Sequence, residues 1–317
     1  MQELRQDVVD LSQSPISPVK ERRLLRPGTQ LTLQAYGFLL PSFLGLLLFS
    51  ILPIIAVAIL SFFRWGLIGQ PTFIGLENYI QIFGSSSFWH SLLVTFYYVL
   101  LNIPAQTILA LLLALLLNQK IPGKGIFRTL FVVPWMATPV ALGLVWQWIF
   151  DPQYGALNTF LGAFHITGPA WLSSTAWAMP AIAAVNIWQY TGYNLLFFLA
   201  GLQGIPGDFY EAASLDGANP VQKFFAITLP LLSPTLFFVL VTSVIGSAQV
   251  FDTVYIMTKG GPGNATNVIN FNIFRQAFEF FHAGYASALS MVLFAILLII
   301  TLLQMLYFRS RTIYDLS

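Results

Sequence analysis

The chain has 317 residues, of which 57% are hydrophobic, 15% aromatic and only 8% charged, with a net charge of +2 and a mean hydropathy of +0.75. A soluble domain carries about 25% charged residues, so this composition excludes a water-coated globule, and so small a net charge gives no footing for nucleic acid. The absence of cysteine excludes disulfides, thiol catalysis and thiolate-ligated metal.

Residues 1–30 are polar and end in a basic cluster, Lys20, Arg22, Arg23 and Arg26. They show no cleavable signal-peptide pattern, and the first apolar stretch reads as a retained anchor. A membrane span needs about 20 mostly apolar residues. Six such stretches follow, at Tyr36–Leu60, His90–Leu117, Thr129–Phe150, Ala176–Leu202, Leu231–Met257 and Ala283–Phe308. Their interiors are expected to hold no Asp, Glu, Lys or Arg. Pro53, Pro104, Pro134 and Pro180 lie in or near them, as membrane helices tolerate. The connecting stretches Ser61–Trp89, Asp151–Thr175 and Thr258–His282 are long and aromatic. Lys120, Lys124, Arg128, Lys223, Arg309 and Arg311 fall on the side of the basic N-terminal tail, and only Arg64, Lys259 and Arg275 on the other. The positive-inside rule then places both termini in the cytoplasm. The expected fold is an all-α membrane protein: a tail at 1–30, a six-helix transmembrane domain at 31–309 with a cytoplasmic loop at 203–230 between spans four and five, and a tail at 310–317.

That loop contains "EAASLDGANPVQKFFAITLP", Glu211 to Pro230. Asp208 is expected to cap a helix, with Glu211 reaching back to it. Gly217 suits the left-handed position that ends a helix, and Asn219-Pro220 suits the start of a second one, running to a stop near Pro230. A two-turn helix is unstable alone in water, so the element must pack on its own chain or on another protein. The segment resembles the EAA motif of importer-type ABC transporter permeases: Glu-Ala-Ala, three residues, Gly, nine residues, Ile, one residue, Leu-Pro. Further stretches resemble the maltose-type sugar permeases: "VVPWMATPVALGLVWQWIF", "YGALN", "NIWQYTGYNLLFFLAGLQGIP" and "TKGGPGNAT". Together they cover most of Thr129–Ala288. The resemblance implies a coupling helix seated on an ATP-hydrolysing subunit, carried by Asp208, Glu211, Ala212, Ala213, Gly217, Asn219 and Pro220. It also implies a second related permease, two ATP-binding subunits holding ATP and magnesium, and an extracytoplasmic solute-binding protein facing the "KGGPGNAT" loop, which reads as flexible.

Uncharged polar residues recur at helical spacing. Asn186, Gln189, Tyr190 and Tyr193 share one face of span four. Ser243, Gly246, Ser247 and Val250 repeat the spacing in span five, with Gln249 beside them. Amides, hydroxyls and aromatic rings suit a neutral sugar, and equally suit hydrogen bonds between helices. In the resembled family, sugar contacts fall on the spans flanking the loop. Asn102 and Gln106 are further candidates, with a kink expected at Pro104. The expected lack of intramembrane charge argues against a proton relay or ion coupling and against strongly charged cargo. His90, His165 and His282 show no ligand-like pairing, and "IPGKGIF" lacks the first Gly and the Ser/Thr of a nucleotide-binding loop, so no cofactor is expected in this chain. Trp65, Trp89, Trp146, Trp148 and Trp171 read as interfacial anchors. The expected function is a transmembrane subunit of an ATP-driven importer for a neutral sugar or oligosaccharide, itself without enzymatic activity, in a bacterial inner membrane. The alternatives are a permease for a charged polyol derivative such as glycerol-3-phosphate, a self-sufficient secondary carrier, a membrane-embedded enzyme and a non-transporting assembly or sensor subunit.

Overall fold

The computed structural model describes residues 29–66 and 68–309. Residues 1–28 and 310–317 of the expected tails, with most of the tail arginines, lie outside the described residues. The chain divides into two compact units, Met1–Ile54 and Ile55–Ser317. In the first, α1 (Thr29–Leu46) passes Pro41 and runs into a π-helical turn, Leu47–Ile51, from which α2 (Leu52–Leu60) continues. Tyr36–Leu60 is an unbroken apolar stretch of 25 residues.

The second unit begins within α2 and holds the only strands among the described residues, β1 (Phe63–Arg64) and β2 (Thr72–Phe73), paired antiparallel. The short helix α3 (Glu77–Gly84) is pinned beneath them. Its buried Asn78 donates from Nδ2 to the carbonyls of Ser61 (2.8 Å) and Phe63 (3.0 Å). α4 (Ser86–Asn118) starts at Ser85, whose Oγ accepts the Phe88 N–H, and is assigned as one 33-residue helix through Pro104.

The stretch expected as span three is instead two helices, α5 (Lys124–Met136) and α6 (Pro139–Ile149), bent by 97°. The cause is local. A residue before proline is driven out of the helical region, and Ala137 and Thr138 are extended, with ψ of 143° and 136°. After α7 (Ala156–Ala163) comes α8 (Ala178–Gln203). The loop elements follow: α9 (Gly207–Leu215), α10 (Pro220–Lys223), a π-helical turn at Phe224–Thr228 and α11 (Leu229–Leu231). The helical path therefore runs past Pro230 and yields only at Leu232, before α12 (Ser233–Ala248). Expected span five also breaks, at Gln249–Phe251, and resumes as α13 (Asp252–Met257). α14 (Ile269–Phe274), a π-helical turn at Arg275–Glu279 and α15 (Ala283–Arg309) complete the chain.

Four stretches among the described residues are long and apolar enough to cross a membrane: Tyr36–Leu60, Ser86–Asn118, Ser233–Met257 and Ala283–Arg309. The bent pair α5–α6 makes a fifth if counted as one span. α8 has the length but not the apolarity, because Asn186, Gln189, Asn194 and their polar neighbours dilute it. The "KGGPGNAT" loop is braced rather than flexible. Thr266 is fully buried; its Oγ1 lies 2.7 Å from that of Thr258 and donates to the Gly261 carbonyl at 2.8 Å.

α4 and α8 share the most extensive helix packing. Ala110 and Ala114 are fully buried against Leu195, Phe198 and Leu199 in one core cluster, since small residues let membrane helices approach closely. Away from the core, α4 exposes Leu93, Phe96, Leu100, Ile108, Leu112 and Leu116, a surface suited to lipid and not to water. α5 crosses α8 at Gly192, where a Cβ would stand 1.8 Å from the Phe131 carbonyl oxygen. Gly192→Ala should therefore cost about 1–3 kcal/mol and lower the thermal unfolding midpoint in mild detergent. Gly162→Ala in α7, where an added methyl meets no atom within 4 Å, should leave the midpoint unchanged or raise it.

Candidate functional site

The polar face of α8 looks into a cavity of about 280 Å³ between α4, α8, α12 and α13. All eight residues singled out from the spacing line it: Asn186, Gln189, Tyr190 and Tyr193 from α8, and Ser243, Gly246, Ser247 and Gln249 from α12 and the break after it. Asn102 and Gln106 line it from α4, with Tyr98 one turn earlier. Pro139, at the start of α6, also reaches it.

Much of this polarity joins helices together. Asn102 Nδ2 donates to Gln106 Oε1 (3.1 Å) and to Ser247 Oγ (2.9 Å), which ties α4 to α12. Asn194 Nδ2 donates to Ser243 Oγ at 3.2 Å. Asn186 Nδ2 donates to Thr253 Oγ1 and to the Ile182 carbonyl, both at 3.0 Å. Gln189 Nε2 reaches the Ala137 carbonyl at 3.4 Å, a backbone group exposed by the break between α5 and α6. Two acceptors are left over: Gln189 Oε1 and Asn102 Oδ1 are buried without a partner. The Tyr193 ring stacks on Trp135, with centroids 4.6 Å apart and planes 22° apart.

The expectation of uncharged span interiors fails at Asp252. It lies inside Leu231–Met257, is exposed, and lines the cavity. The break at Gln249–Phe251 makes it the first residue of α13, where the positive end of the backbone dipole favours a carboxylate. The argument against ion coupling from absent charge fails with it.

The loop after α8 is organised by its turn. Gly217 has φ +78°. The Ala218 N–H bonds to the Ala213 carbonyl (2.9 Å) and the Gly217 N–H to that of Ser214 (3.1 Å), the paired closure of a Schellman motif. Asn219 and Gln222 form a reciprocal capping box with Pro220 at the first helical position. The expected cap at Asp208 is not found. α9 opens two residues earlier, after extended Pro206, and has no side-chain cap. Asp208 sits in its first turn, where its charge favours the helix dipole, and Glu211 does not reach back. Two contacts brace the loop: Tyr210 Oη with Thr228 Oγ1 (2.9 Å) and Lys223 Nζ to Ser214 Oγ (2.6 Å). Glu211, Ala212, Leu215, Val221 and Phe225 are exposed.

Residues 79–312 match the family of binding-protein-dependent transport system inner membrane components. The chain belongs to that family. It is 40% identical over 290 residues to the "Probable ABC transporter permease protein YesP" of Bacillus subtilis, covering 90% of this chain and 92% of that one. It is 34% identical over 280 residues to the trehalose/maltose transport system permease protein MalF of Thermococcus litoralis, covering 87% and 94%. Its fold matches a chain of a bacterial ABC transporter involved in the import of the acidic polysaccharide alginate, with a TM-score of 0.79, 24% identity and coverage of 90% and 98%. The resemblance to maltose-type sugar permeases therefore stands, and family membership replaces absent charge as the argument against a lone ion-coupled carrier.

Sequence reasoning missed several residues that line this permease's cavity: Tyr98, Asn194, Thr242, Asp252 and Thr253. Tyr98, Asn102 and Gln106 repeat every four residues, a legible signal. Asp252 was hidden by the apolar average of its stretch. Trp146 and Trp171, expected as interfacial anchors, instead pack on the core beside Phe150. Asn219→Ala should remove the capping box at a cost of about 1 kcal/mol, which would be read as roughly fivefold faster amide hydrogen exchange at the start of α10.

Proposed function

We propose that this permease is one transmembrane subunit of an ATP-driven importer for a neutral sugar or oligosaccharide. In this reading α8 and the bent α5–α6 pair complete a six-span bundle with both termini in the cytoplasm of a bacterial cell. A second related permease pairs with it. Two ATP-binding subunits, which hold ATP and magnesium, dock on α9 and its Gly217 turn, and an extracytoplasmic binding protein delivers the solute to the opposite face. ATP closes the ATPase pair, the loop carries that movement into α8 and α12, and the cavity between them opens to alternate sides.

The observation that supports this reading best is the convergence of every polar position of α8 and α12 singled out by spacing on one cavity, in a chain of a transport family. Carboxamides, hydroxyls and the stacked Tyr193 match the alternating polar edges and flat C–H faces of a pyranose. The charged-polyol alternative meets Asp252, a carboxylate on the same wall. The loop supports docking because its turn is closed by its own hydrogen bonds while apolar Leu215 is 90% exposed.

Extraction of the tagged chain from native membranes should bring an ATPase subunit and a second permease with it. Glu211→Lys should lose or weaken the ATPase while keeping the second permease. Recovery of the chain alone would refute the assembly. Gly217→Val places a β-branched side chain at φ +78° and should uncouple uptake from ATP hydrolysis, whereas wild-type uptake per ATP would remove the coupling role. Gln189→Ala and Ser247→Leu should change uptake kinetics with assembly intact, and unchanged kinetics in both would remove the cavity from the pathway.

A further inference from the structure

Which hydrogen-bonding partners the cavity still lacks is set by how its carboxamides are already used. Backbone carbonyls only accept hydrogen bonds. The bonds to Ile182 and Ala137 therefore fix the amide ends of Asn186 and Gln189 toward protein. Asn102 directs both of its N–H groups to Gln106 and Ser247, and Asn194 directs one of its two to Ser243. What remains includes both acceptors and donors. Gln189 and Asn102 are only 2% and 3% exposed, yet Gln189 Oε1 and Asn102 Oδ1 have no partner. Both oxygens are enclosed by protein and not open to the cavity. The amide ends of Gln106 and Gln249 and the hydroxyls of Ser243, Ser247 and Thr253 remain as donors, and the tyrosine hydroxyls turn either way, so hydrogen bonding alone does not choose between cargoes. The one charged group on the wall is Asp252. No Lys, Arg or His lines the cavity, and the ion pairs among the described residues are Arg64–Glu77 and Arg275–Glu279, so no cation offsets that carboxylate.

Resting on the reading of this cavity as the solute pathway, we infer that it selects cargo that carries no negative charge, with Asp252 as the residue that excludes anions. A neutral saccharide, or one bearing an ammonium group, meets no like charge on the wall. A phosphorylated or carboxylated polyol brings a charge of the same sign as Asp252 into the same cavity, where Coulomb repulsion opposes its entry.

The test needs no knowledge of the natural cargo. The chain has no cysteine, and at Gly246 an added side chain meets no atom within 4 Å. Gly246→Cys therefore places a single thiol on the cavity wall. The assembled complex in membrane vesicles is treated with the trimethylammonioethyl, sulfonatoethyl and hydroxyethyl methanethiosulfonates, which are cationic, anionic and neutral. Labelling of this chain is followed by mass spectrometry, with and without ATP. The cationic-to-anionic rate ratio, divided by the same ratio for free mercaptoethanol, should be about tenfold. Adding Asp252→Asn should bring it close to one, and Asp252→Glu should preserve it. The neutral reagent serves as the control for folding and access. If it reaches Cys at 246 but the ratio in the parent is near one, or survives Asp252→Asn, the charge selection is wrong and the pathway stands. If it fails to reach that thiol in every nucleotide state, the pathway reading fails and takes this inference with it.

Discussion

A backbone carbonyl or amide released where a helix breaks has no water to turn to inside an apolar bundle, and leaving it unpaired costs several kcal/mol. Breaks are therefore permitted only where a neighbouring side chain can answer. Gln189 answers at Ala137, between α5 and α6. Asn270 answers at Gln249, between α12 and α13, donating to its carbonyl at 2.9 Å. Thr95 accepts the Ile269 N–H at 2.8 Å where α14 begins. The responding side chains sit far from these breaks in sequence, so each break also fixes how two elements pack. Residues at or beside both helix breaks, Pro139 on one side and Gln249, Phe251 and Asp252 on the other, line the cavity. The cavity thus depends on the breaks, and the breaks are tolerated because polar residues close them.

This places α8 at the centre of the second unit's packing. Its polar stripe deprives it of the hydropathy of an ordinary span, yet it is among the most buried helices of the chain, with Ala178, Ile182, Val185, Leu195 and Phe198 fully enclosed. A helix surrounded by protein need not be apolar toward lipid, and its carboxamides can bond to other helices instead. Helix bonding and solute contact need not compete for the same atoms. The amide nitrogens hold the bundle together, while the hydroxyl hydrogens of Ser243 and Ser247, which accept from those amides, are left over.

The helical class, the positions of α4 and α15 and most of the α8–α12 polar face were legible in the sequence, because 3.6-residue spacing survives without knowledge of the neighbours. The Gly217 turn and the Asn219 cap were legible for the same reason: both are local chemistry. The 97° bend was not read, although Thr138-Pro139 encodes it, because hydropathy averaged over Thr129–Phe150 hides a dipeptide. Asp252 was lost to the same averaging. The cap at Asp208 failed because Pro206 sets the helix start and overrides the better capping residue. Cross-helix pairs such as Asn186–Thr253 could not be read from periodicity at all, since register between helices is a tertiary property.

The loop and the cavity are joined by continuity of chain on both sides. α8 runs from the cavity wall into α9, and α11 leads back through buried Leu232 to α12, the opposite wall. A connection of this kind transmits movement only if it does not deform first. An isolated two-turn helix would deform, being marginal in water. Here the Schellman closure, the capping box and the Lys223–Ser214 bond hold the turn without help from outside. Tyr210 then roots it: its ring packs on the cluster around Leu202 and Leu232, and its hydroxyl meets Thr228. Rigidity in the turn and attachment to the core are thus supplied by different residues. The apolar face at Leu215 and Val221 contributes to neither, which leaves it free for contact with another protein without loosening either one.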